Sequence, residues 1–270
     1  MGNLNLKEAK TLVMRVSLLS RAIKIFREEG TRSLFKKASA YTSAYTTRKL
    51  GFLVLHYALL KIRSLNQNSN LNELLNFTFN SLTGLIKPSQ VYGEISQLLE
   101  LVDTIKPRTI LEIGTANGGT LFLFSRVAPE DATIISIDLP GGKFGGGYPK
   151  WRGVLYKSFA LPGQKIHLLR ADSHKRETLE QVKAILGGRE IDLLFIDGDH
   201  TYEGVKKDFE TYSPLVKEGG IIAFHDIVLG PEENVGGVPE FWRKVKDSYE
   251  SKEIVEDWSQ NGYGIGVIYA

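Results

Sequence analysis

Five acidic residues in the second half of the chain each end or follow a short apolar run. They are Glu112, Asp138, Asp172, Asp197 and Asp226. If the apolar runs are strands of one open α/β sheet, these residues meet in the crevice outside the carboxyl ends of the strands, where such sheets bind ligands. A buried carboxylate without a partner is costly. We therefore expect the five acids to face a polar ligand that is cationic or rich in hydroxyl groups.

A glycine-rich turn follows the first apolar run, TILEI (109–113). Its sequence G-T-A-N-G-G (114–119) has the spacing E-x-G-x-x-x-G-G rather than the G-x-G-x-x-G fingerprint of NAD-binding turns. Glycines at a strand-to-helix turn let the backbone approach a ligand closely, although such a turn can also be purely structural. Asp138, after the second apolar run, can accept hydrogen bonds from two ribose hydroxyls, which favours a ligand-binding turn.

The elements that position these residues alternate between helices and short apolar strands from Val91 onward. The five main strand predictions are TILEI (109–113), TIISID (133–138), KIHLLRAD (165–172), IDLLFID (191–197) and GGIIAFHD (219–226). Helical patterns lie between them, which indicates βαβ units and a parallel sheet covered on both faces. EIVEDW and YGIGVIYA are typical of two final strands. The sequence therefore predicts an α/β fold with a Rossmann-like, seven-stranded, mostly parallel sheet.

Residues 1–90 have a helical pattern and a different composition. Residues 1–63 carry 13 Lys and Arg against three Glu, a net charge of +10, whereas the rest of the chain carries −7. Such asymmetry indicates either an anionic partner or a solvated helical face docked on the acidic domain. The apolar run GFLVLHYALL (51–60) is too short to span a bilayer and predicts a buried helix or adsorption to a membrane surface. We divide the chain into a basic helical extension, 1–90, and a second domain, 91–270.

Composition narrows the class of protein. The chain has 270 residues, a net charge of +3 and no cysteine, which excludes a disulfide scaffold, a thiolate metal site and a cysteine nucleophile. The N-terminus lacks the basic-then-apolar pattern of a signal peptide. We expect a cytoplasmic homo-oligomer that contacts membranes peripherally through residues 1–63, and we expect no DNA partner.

Five ordered motifs resemble those of class I methyltransferases, which use S-adenosylmethionine (SAM): E-I-G-T-A-N-G-G, S-I-D, A-D-S-H, F-I-D-G-D-H-T-Y and G-G-I-I-A-F-H-D-I. Within that class the chain is similar to the branch of macrolide-sugar O-methyltransferases and the protein called cephalosporin hydroxylase. Similar proteins often accompany polysaccharide and glycan biosynthesis. The resemblance covers residues 90–270 and implies SAM-dependent O-methyl transfer to a saccharide or another small-molecule acceptor.

The resemblance also implies roles for individual residues at the cofactor site. Gly114, Thr115 and Gly118 would line the methionine end of SAM, and Glu112 would orient that loop. Asp138 would hold the ribose.

The adenine end of SAM would lie between Asp172 and Ser173, with the acid accepting a hydrogen bond from the adenine amino group. The competing interpretation of Asp172 is an N-cap for the helix that follows it, and serine is also a favourable N-cap residue.

Methyl transfer from a sulfonium is an in-line displacement, so the enzyme mainly aligns the nucleophile and removes its proton. Asp197 and Asp226 supply hard oxygen ligands suited to Mg²⁺, and the methyltransferases that the chain resembles use this pair of strand ends for a metal. They commonly carry an acid where this sequence has His225, which leaves His225, Asp199 and water as candidates for the third ligand. Because imidazole suits transition metals better, Mn²⁺ or a metal-independent site stays open.

His200 lies three residues after Asp197 in D-G-D-H and is the candidate base. A histidine at that step is the proposed base in the resembling sugar methyltransferases, and an unperturbed imidazole titrates near neutrality. The alternative is that His200 braces the helix that begins at Tyr202. We predict that His200 and Asp197 act together in catalysis.

Other functions compete with methylation of a small molecule. Methylation of RNA would use the basic helices to contact phosphates, although no RNA-binding motif is appended. A non-catalytic module that binds SAM or a glycan is a second alternative, which the intact Asp197, His200 and Asp226 disfavour. An NAD-dependent oxidoreductase is a third, and the glycine spacing disfavours it.

Overall fold

Seven strands form one sheet in the computed structural model, which describes residues 53–65, 69–141 and 147–270. Their order across the sheet is β3-β2-β1-β4-β5-β7-β6, and β7 runs antiparallel to both β5 and β6. The predicted seven-stranded, mostly parallel sheet is therefore confirmed. The strands are β1 (Thr109–Ile113), β2 (Thr133–Ile137), β3 (Lys165–Leu169), β4 (Ile191–Ile196), β5 (Val216–His225), β6 (Glu250–Ile254) and β7 (Ile265–Tyr269).

Helices cover the sheet, and each begins and ends where its sequence changes character. Helix α3 buries Ile95, Leu98, Leu99 and Val102 at helical spacing and ends at Lys106, a left-handed residue just before Pro107. The described helices are α1 (residues 53–64), α2 (Leu71–Asn80), α3 (Tyr92–Ile105), α4 (Gly119–Val127), α5 (Arg152–Lys157), α6 (Arg176–Leu186), α7 (Tyr202–Tyr212), α8 (Glu232–Val235) and α9 (Val238–Val245).

The core lies on both faces of the central strands. All five residues of β1 and of β2 are buried, as expected for parallel strands that carry helices on both sides. On one face, α7 and α9 pack an aromatic group onto β5, with Phe209, Phe241 and Trp242 around Phe224 at centroid separations of 5.7–5.9 Å. These contacts fix α7, whose first residues follow β4.

The sheet register aligns the ends of four strands. Ile113 of β1 lies opposite Ile137 of β2 and Ile196 of β4, and Ile196 lies opposite Phe224 of β5. The residues that follow these strands therefore meet along one edge of the sheet. Strand order reverses there, because β1 pairs with β2 on one side and with β4 on the other, and such a switch point is where open α/β sheets bind ligands.

Most of the predicted basic extension lies outside the described residues, which begin at residue 53. Residues 57–270 form one compact unit, in which the Phe77 ring of α2 lies 5.5 Å from the Phe122 ring of α4. In the described ranges, the helices are too short or too polar for any of them to cross a membrane.

Candidate active site

The turn after β1 is built around glycines in conformations that other residues rarely adopt. Gly114 has φ +100°, and a Cβ atom there would overlap the carbonyl oxygen of Asp197. Gly118 has φ +78°, and a Cβ atom there would overlap the Tyr156 ring. The glycines are needed because the turn passes directly against the end of β4 and against α5.

Glu112 holds this turn from behind. Its buried carboxylate accepts hydrogen bonds from the hydroxyls of Thr120 and Ser136, and Ser136 Oγ lies 2.5 Å from Thr115 Oγ1. Burial raises the pKa of Glu112 to about 8, although the two hydroxyl hydrogen bonds oppose the rise. The Thr115 side chain is thereby turned into the protein. Of the residues predicted to line the methionine end of SAM, Gly114 lines the cavity at this edge of the sheet, whereas Thr115 and Gly118 are not among the residues that line it.

Asp138 lies at the end of β2 and joins two loops. Its Oδ2 accepts a hydrogen bond of 2.8 Å from the backbone N–H of Ala116, and its Oδ1 accepts one of 2.6 Å from Gly147. Burial raises the pKa of Asp138, and the backbone donors oppose that rise. Asp138 lines the cavity, and a carboxylate has lone pairs left to accept further hydrogen bonds from a ligand.

Asp172 and Ser173 lie after β3 and also line the cavity. Asp172 Oδ1 accepts a hydrogen bond of 2.9 Å from the backbone N–H of His174. The N-cap position of α6 is occupied by Lys175, whose side chain makes no capping bond. The interpretation of Asp172 as the N-cap is therefore wrong by three positions along the chain, and its side chain shapes the turn before the helix.

Asp197, His225 and Asp226 come together at the ends of β4 and β5. One potential ligand atom from each of the three lies within 4.8 Å of the others. His225 Nδ1 lies 3.1 Å from Asp197 Oδ1 and 3.4 Å from Asp226 Oδ2. Burial alone would raise the pKa of Asp197, but His225 and His200 outweigh it and hold that pKa well below its usual range. Burial opposes the charged form of His225, yet the two carboxylates raise its pKa well above its usual value.

His200 faces the same pair of carboxylates. Its Nε2 lies 3.4 Å from Asp197 Oδ1, and its Nδ1 lies 3.3 Å from Asp226 Oδ2 and contacts the Asn234 carbonyl oxygen. Burial would lower the pKa of His200, but the neighbouring carboxylates raise it to about 9. The carboxylates of Asp197 and Asp226 therefore favour the protonated, imidazolium form of His200.

Asp199 serves the start of α7. Its Oδ1 accepts a hydrogen bond of 2.9 Å from the Thr201 backbone N–H, and Thr201 is the N-cap of α7, accepting from Gly204 N. His225 and Asp199 were the two protein candidates for a third metal ligand. His225 lies with Asp197 and Asp226, whereas the Asp199 side chain binds the backbone at the start of α7.

Gln90 is a site residue that the sequence did not reveal. It lies just before α3, is buried, and donates a hydrogen bond of 2.8 Å from Nε2 to Asp197 Oδ2. No motif surrounds it, and only its position after Pro88-Ser89 marks the entry to a helix.

A strained loop before β7 was also missed. Asn261, Gly262, Tyr263 and Gly264 all have positive φ, between +62° and +121°, a conformation that is rare for residues with a side chain. The Tyr263 N–H donates to Asp226 Oδ1 at 3.1 Å, and Tyr263 lines the cavity. The signal in the sequence was the pair of glycines in N-G-Y-G, since glycine favours the positive φ values that this loop adopts.

These residues surround one cavity of about 540 Å³, a size typical of cofactor and small-ligand sites. Its lining includes the predicted cofactor residues Gly114, Asp138, Asp172 and Ser173. It also includes the cluster of Asp197, His225 and Asp226. A nucleoside-sized ligand and a second, smaller molecule are therefore within reach of the same ionisable groups.

Comparisons with known proteins agree with this geometry. Residues 111–227 match a family of methyltransferase domains. The chain is 32% identical over 149 residues to the tapetum-specific methyltransferase 1 of Arabidopsis thaliana, an alignment of 50% of this chain and 58% of that protein. It is 27% identical over 210 residues to a caffeoyl-CoA O-methyltransferase of Populus kitakamiensis, with 74% of this chain and 84% of that protein aligned.

A solved structure shares the fold. The O-methyltransferase TomG from Streptomyces achromogenes, in complex with SAM and involved in tomaymycin synthesis, aligns with a TM-score of 0.52 at 18% identity, covering 78% of this chain and 94% of that one. The chain spans only 16%, 51% and 58% of the lengths of three curated relatives that it matches.

Proposed function

We propose that the chain, whose residues 111–227 match a family of methyltransferase domains, is a class I methyltransferase that transfers the SAM methyl group to a hydroxyl of a saccharide or another small-molecule acceptor with the help of a divalent cation. The observation that carries the proposal is that Asp197, His225 and Asp226 converge on the cavity that Asp138 and Asp172 also line. A cofactor site and a group of metal ligands in one cavity suit methyl transfer to a hydroxyl.

SAM is proposed to lie across the switch point of the sheet. Asp138 accepts hydrogen bonds from the ribose, and Asp172 and Ser173 flank the adenine. Gly114 gives the methionine end close access to the backbone of the turn. The shape of this turn is set by the hydrogen bonds of Glu112 and Thr115 and by the close packing at Gly118. These three residues would therefore support SAM binding indirectly.

The donor set of the cluster fits a divalent cation. Two carboxylates and one imidazole can face one point, and the carboxylate of Asp197 is oriented by the amide of Gln90, an arrangement that supports metal ligands in other proteins. Asp197, His225 and Asp226 would hold the ion. When bound, a divalent cation lowers the pKa of a coordinated hydroxyl and fixes its position.

The acceptor proton is proposed to move to His200. Its imidazole lies 3.3–3.4 Å from the carboxylates of the cluster, so it stands beside the point at which the acceptor oxygen would lie. The two carboxylates favour the protonated ring, and a base must begin unprotonated. For His200 to act as the base, a divalent cation would therefore have to balance the negative charges of Asp197 and Asp226. The imidazole could then lose its proton before the reaction.

Polar residues at the cavity support a hydroxyl-rich acceptor. Ser89, Glu233, Asn234 and Asn261 line it and offer both donors and acceptors of hydrogen bonds. Contact of residues 1–63 with a membrane, a homo-oligomer and a cytoplasmic location stay predictions from the sequence.

The test is methyl transfer from isotopically labelled SAM to a panel of saccharides and of phenols, with and without chelator. We expect transfer to at least one saccharide, loss of that transfer in EDTA, and recovery with Mg²⁺ or Mn²⁺. Asp226→Asn should abolish it, whereas Asp103→Asn, an exposed position on α3, should not. Full turnover by protein shown to be metal-free would refute the metal proposal. Transfer to phenols alone would refute the saccharide proposal.

A further inference from the structure

His174 lies at the cavity between the adenine-side loop and α7, and the proposed reaction gives it no role. It lines the cavity next to Asp172 and Ser173, and its side chain is 21% exposed. The two edges of its ring meet different surroundings, which shows how the ring is held and which edge is left for a ligand.

The Nε2 edge of the ring is fixed by α7. Nε2 lies 3.3 Å from Asp208 Oδ1 and 3.2 Å from the carbonyl oxygen of Gly204. Both neighbours are acceptor groups, which favours a proton on Nε2. The contact with Asp208 is an ion pair rather than a hydrogen bond, since neither oxygen of Asp208 has a hydrogen-bond partner among the described residues. Asp208 is fully buried, and His174 is its one cationic partner among the described residues. Because a buried carboxylate that lacks a partner is costly, this contact holds the imidazole in one orientation.

The backbone of the same loop is also fixed. The hydroxyl of Tyr212, on α7, donates to the Ser173 carbonyl oxygen at 2.7 Å, and Thr178 Oγ1 donates to the Asp172 carbonyl oxygen at 2.7 Å. The backbone of the loop that carries His174 is thus anchored at two points, and the ring itself is held by its contacts with α7.

Nδ1 is the second nitrogen of the ring. Nδ1 lies 3.9 Å from Asp172 Oδ1, beyond hydrogen-bond distance. It therefore keeps its hydrogen-bonding capacity next to the carboxylate that is proposed to bind the adenine amino group.

We propose that His174 is a further SAM-binding residue, whose Nδ1 edge contacts the adenine beside Asp172, and that Asp208 is the positioning residue that holds the ring. This inference rests on the proposed function, because it assumes that SAM occupies the cavity. The alternative is that His174 only braces the loop against α7.

Two ligands distinguish the adenine end from the rest of the cavity: S-adenosylhomocysteine (SAH), and 5′-methylthioadenosine, which lacks the amino-acid end. Calorimetry on His174→Ala should show a dissociation constant raised about 10-fold for both ligands, within the range for loss of one hydrogen bond. Asp208→Asn should raise both about 3- to 10-fold. The double variant should bind no worse than His174→Ala, because Asp208 acts through the ring.

His174→Gln separates binding from bracing. A glutamine amide can donate to Asp208 but offers no ring edge to the adenine, so this variant should keep the melting temperature of the wild type and lose affinity as His174→Ala does. His167→Ala, on β3 and outside the cavity lining, is the matched control and should bind both ligands normally. If Asp208→Asn does not fold, the alanine and glutamine variants of His174 carry the test.

Three results would overturn the inference. Wild-type affinity in folded His174→Ala would exclude contact with the adenine. Rescue of affinity by glutamine would show that His174 is only a brace. A loss for SAH that exceeds the loss for methylthioadenosine would place the defect at another part of the cavity. If the wild type binds neither ligand, the proposed function is refuted, and the inference with it.

Discussion

Asp138→Asn is the sharpest perturbation of the proposed cofactor site, because both oxygens of this carboxylate are already engaged. The Asp138 side chain accepts hydrogen bonds from the backbone N–H groups of Ala116 and Gly147. These two residues belong to the turn after β1 and to the loop after β2. Asparagine keeps the shape of the side chain but offers one acceptor oxygen instead of two.

The expected loss follows from that difference. One of the two N–H groups would face an amide NH₂ group and remain unsatisfied, and hydrogen bonds to a charged acceptor contribute about 1.5–3 kcal/mol each. Part of that loss appears as lower stability of the protein without ligand, because the loops join there. Asparagine also accepts more weakly from the proposed ribose hydroxyls. We expect SAH to bind about 10- to 100-fold more weakly, which corresponds to about 1.4–2.7 kcal/mol.

The assay is calorimetric titration of SAH into Asp138→Asn, with thermal unfolding measured on the same protein. Asp131→Asn is the matched control. It lies just before β2, at the other end of that strand, is 59% exposed and pairs with Arg108. SAH affinity equal to wild type in folded Asp138→Asn would refute both the ribose role and the idea that this carboxylate organises the site.

Three further predictions follow from buried contacts. Glu94→Gln should lower the free energy of unfolding by about 1–3 kcal/mol in urea titration, because the buried Glu94 accepts from three donors, including Gly264 N at 2.9 Å, and glutamine has one acceptor oxygen. The contact with the Asp208 carboxylate raises the pKa of His174, so the stabilisation from this ion pair is complete below the unfolded value of about 6.5 and is lost as pH rises through the raised pKa. The melting temperature of the wild type relative to Asp208→Asn should therefore fall as the pH rises above about 6.5, and parallel curves would contradict this. Gly114→Ala should abolish SAH binding in calorimetry, since its φ is +100° and its Cβ would overlap a backbone carbonyl; normal binding would show that the turn can move.

The fold could be predicted because the strands that set it are buried on both faces and therefore apolar. TILEI is recognisable for this reason and has the predicted bounds, and the predicted run TIISID is a strand up to Ile137, one residue short of its predicted end. The edge strand was harder to place. β6 is Glu250–Ile254, beginning three residues before the predicted EIVEDW, because its first residues are exposed and carry no apolar pattern. Strand pairing with β7 defines it instead.

The candidate site was predictable where residues follow strands and not where side chains arrive from elsewhere. Asp197, His225 and Asp226 lie next to strand ends, so the parallel sheet alone brings them together. Thr115 shows the limit of this reasoning. Its place in the glycine turn predicts contact with a ligand, and that stays a prediction. Its hydroxyl lies against Ser136 inside the protein, because the rotation of the turn decides which side chain faces the cavity.

The N-terminal end of α3 explains why the remaining site residues were missed. Gln90 and Glu94 are four residues apart, and both are buried. Gln90 donates to Asp197, and Glu94 accepts from Gly264 in the strained loop and from Gln260, the residue just before that loop. In the sequence this segment resembles an ordinary amphipathic helix that covers the sheet. The feature that could have revealed its role is Glu94, a charged residue on the apolar face of the helix. A buried carboxylate requires hydrogen-bond partners. One helix end therefore braces both the Asp197 carboxylate and the loop whose Tyr263 N–H orients Asp226, so the position of both carboxylates depends on a helix that contributes no ligand atom.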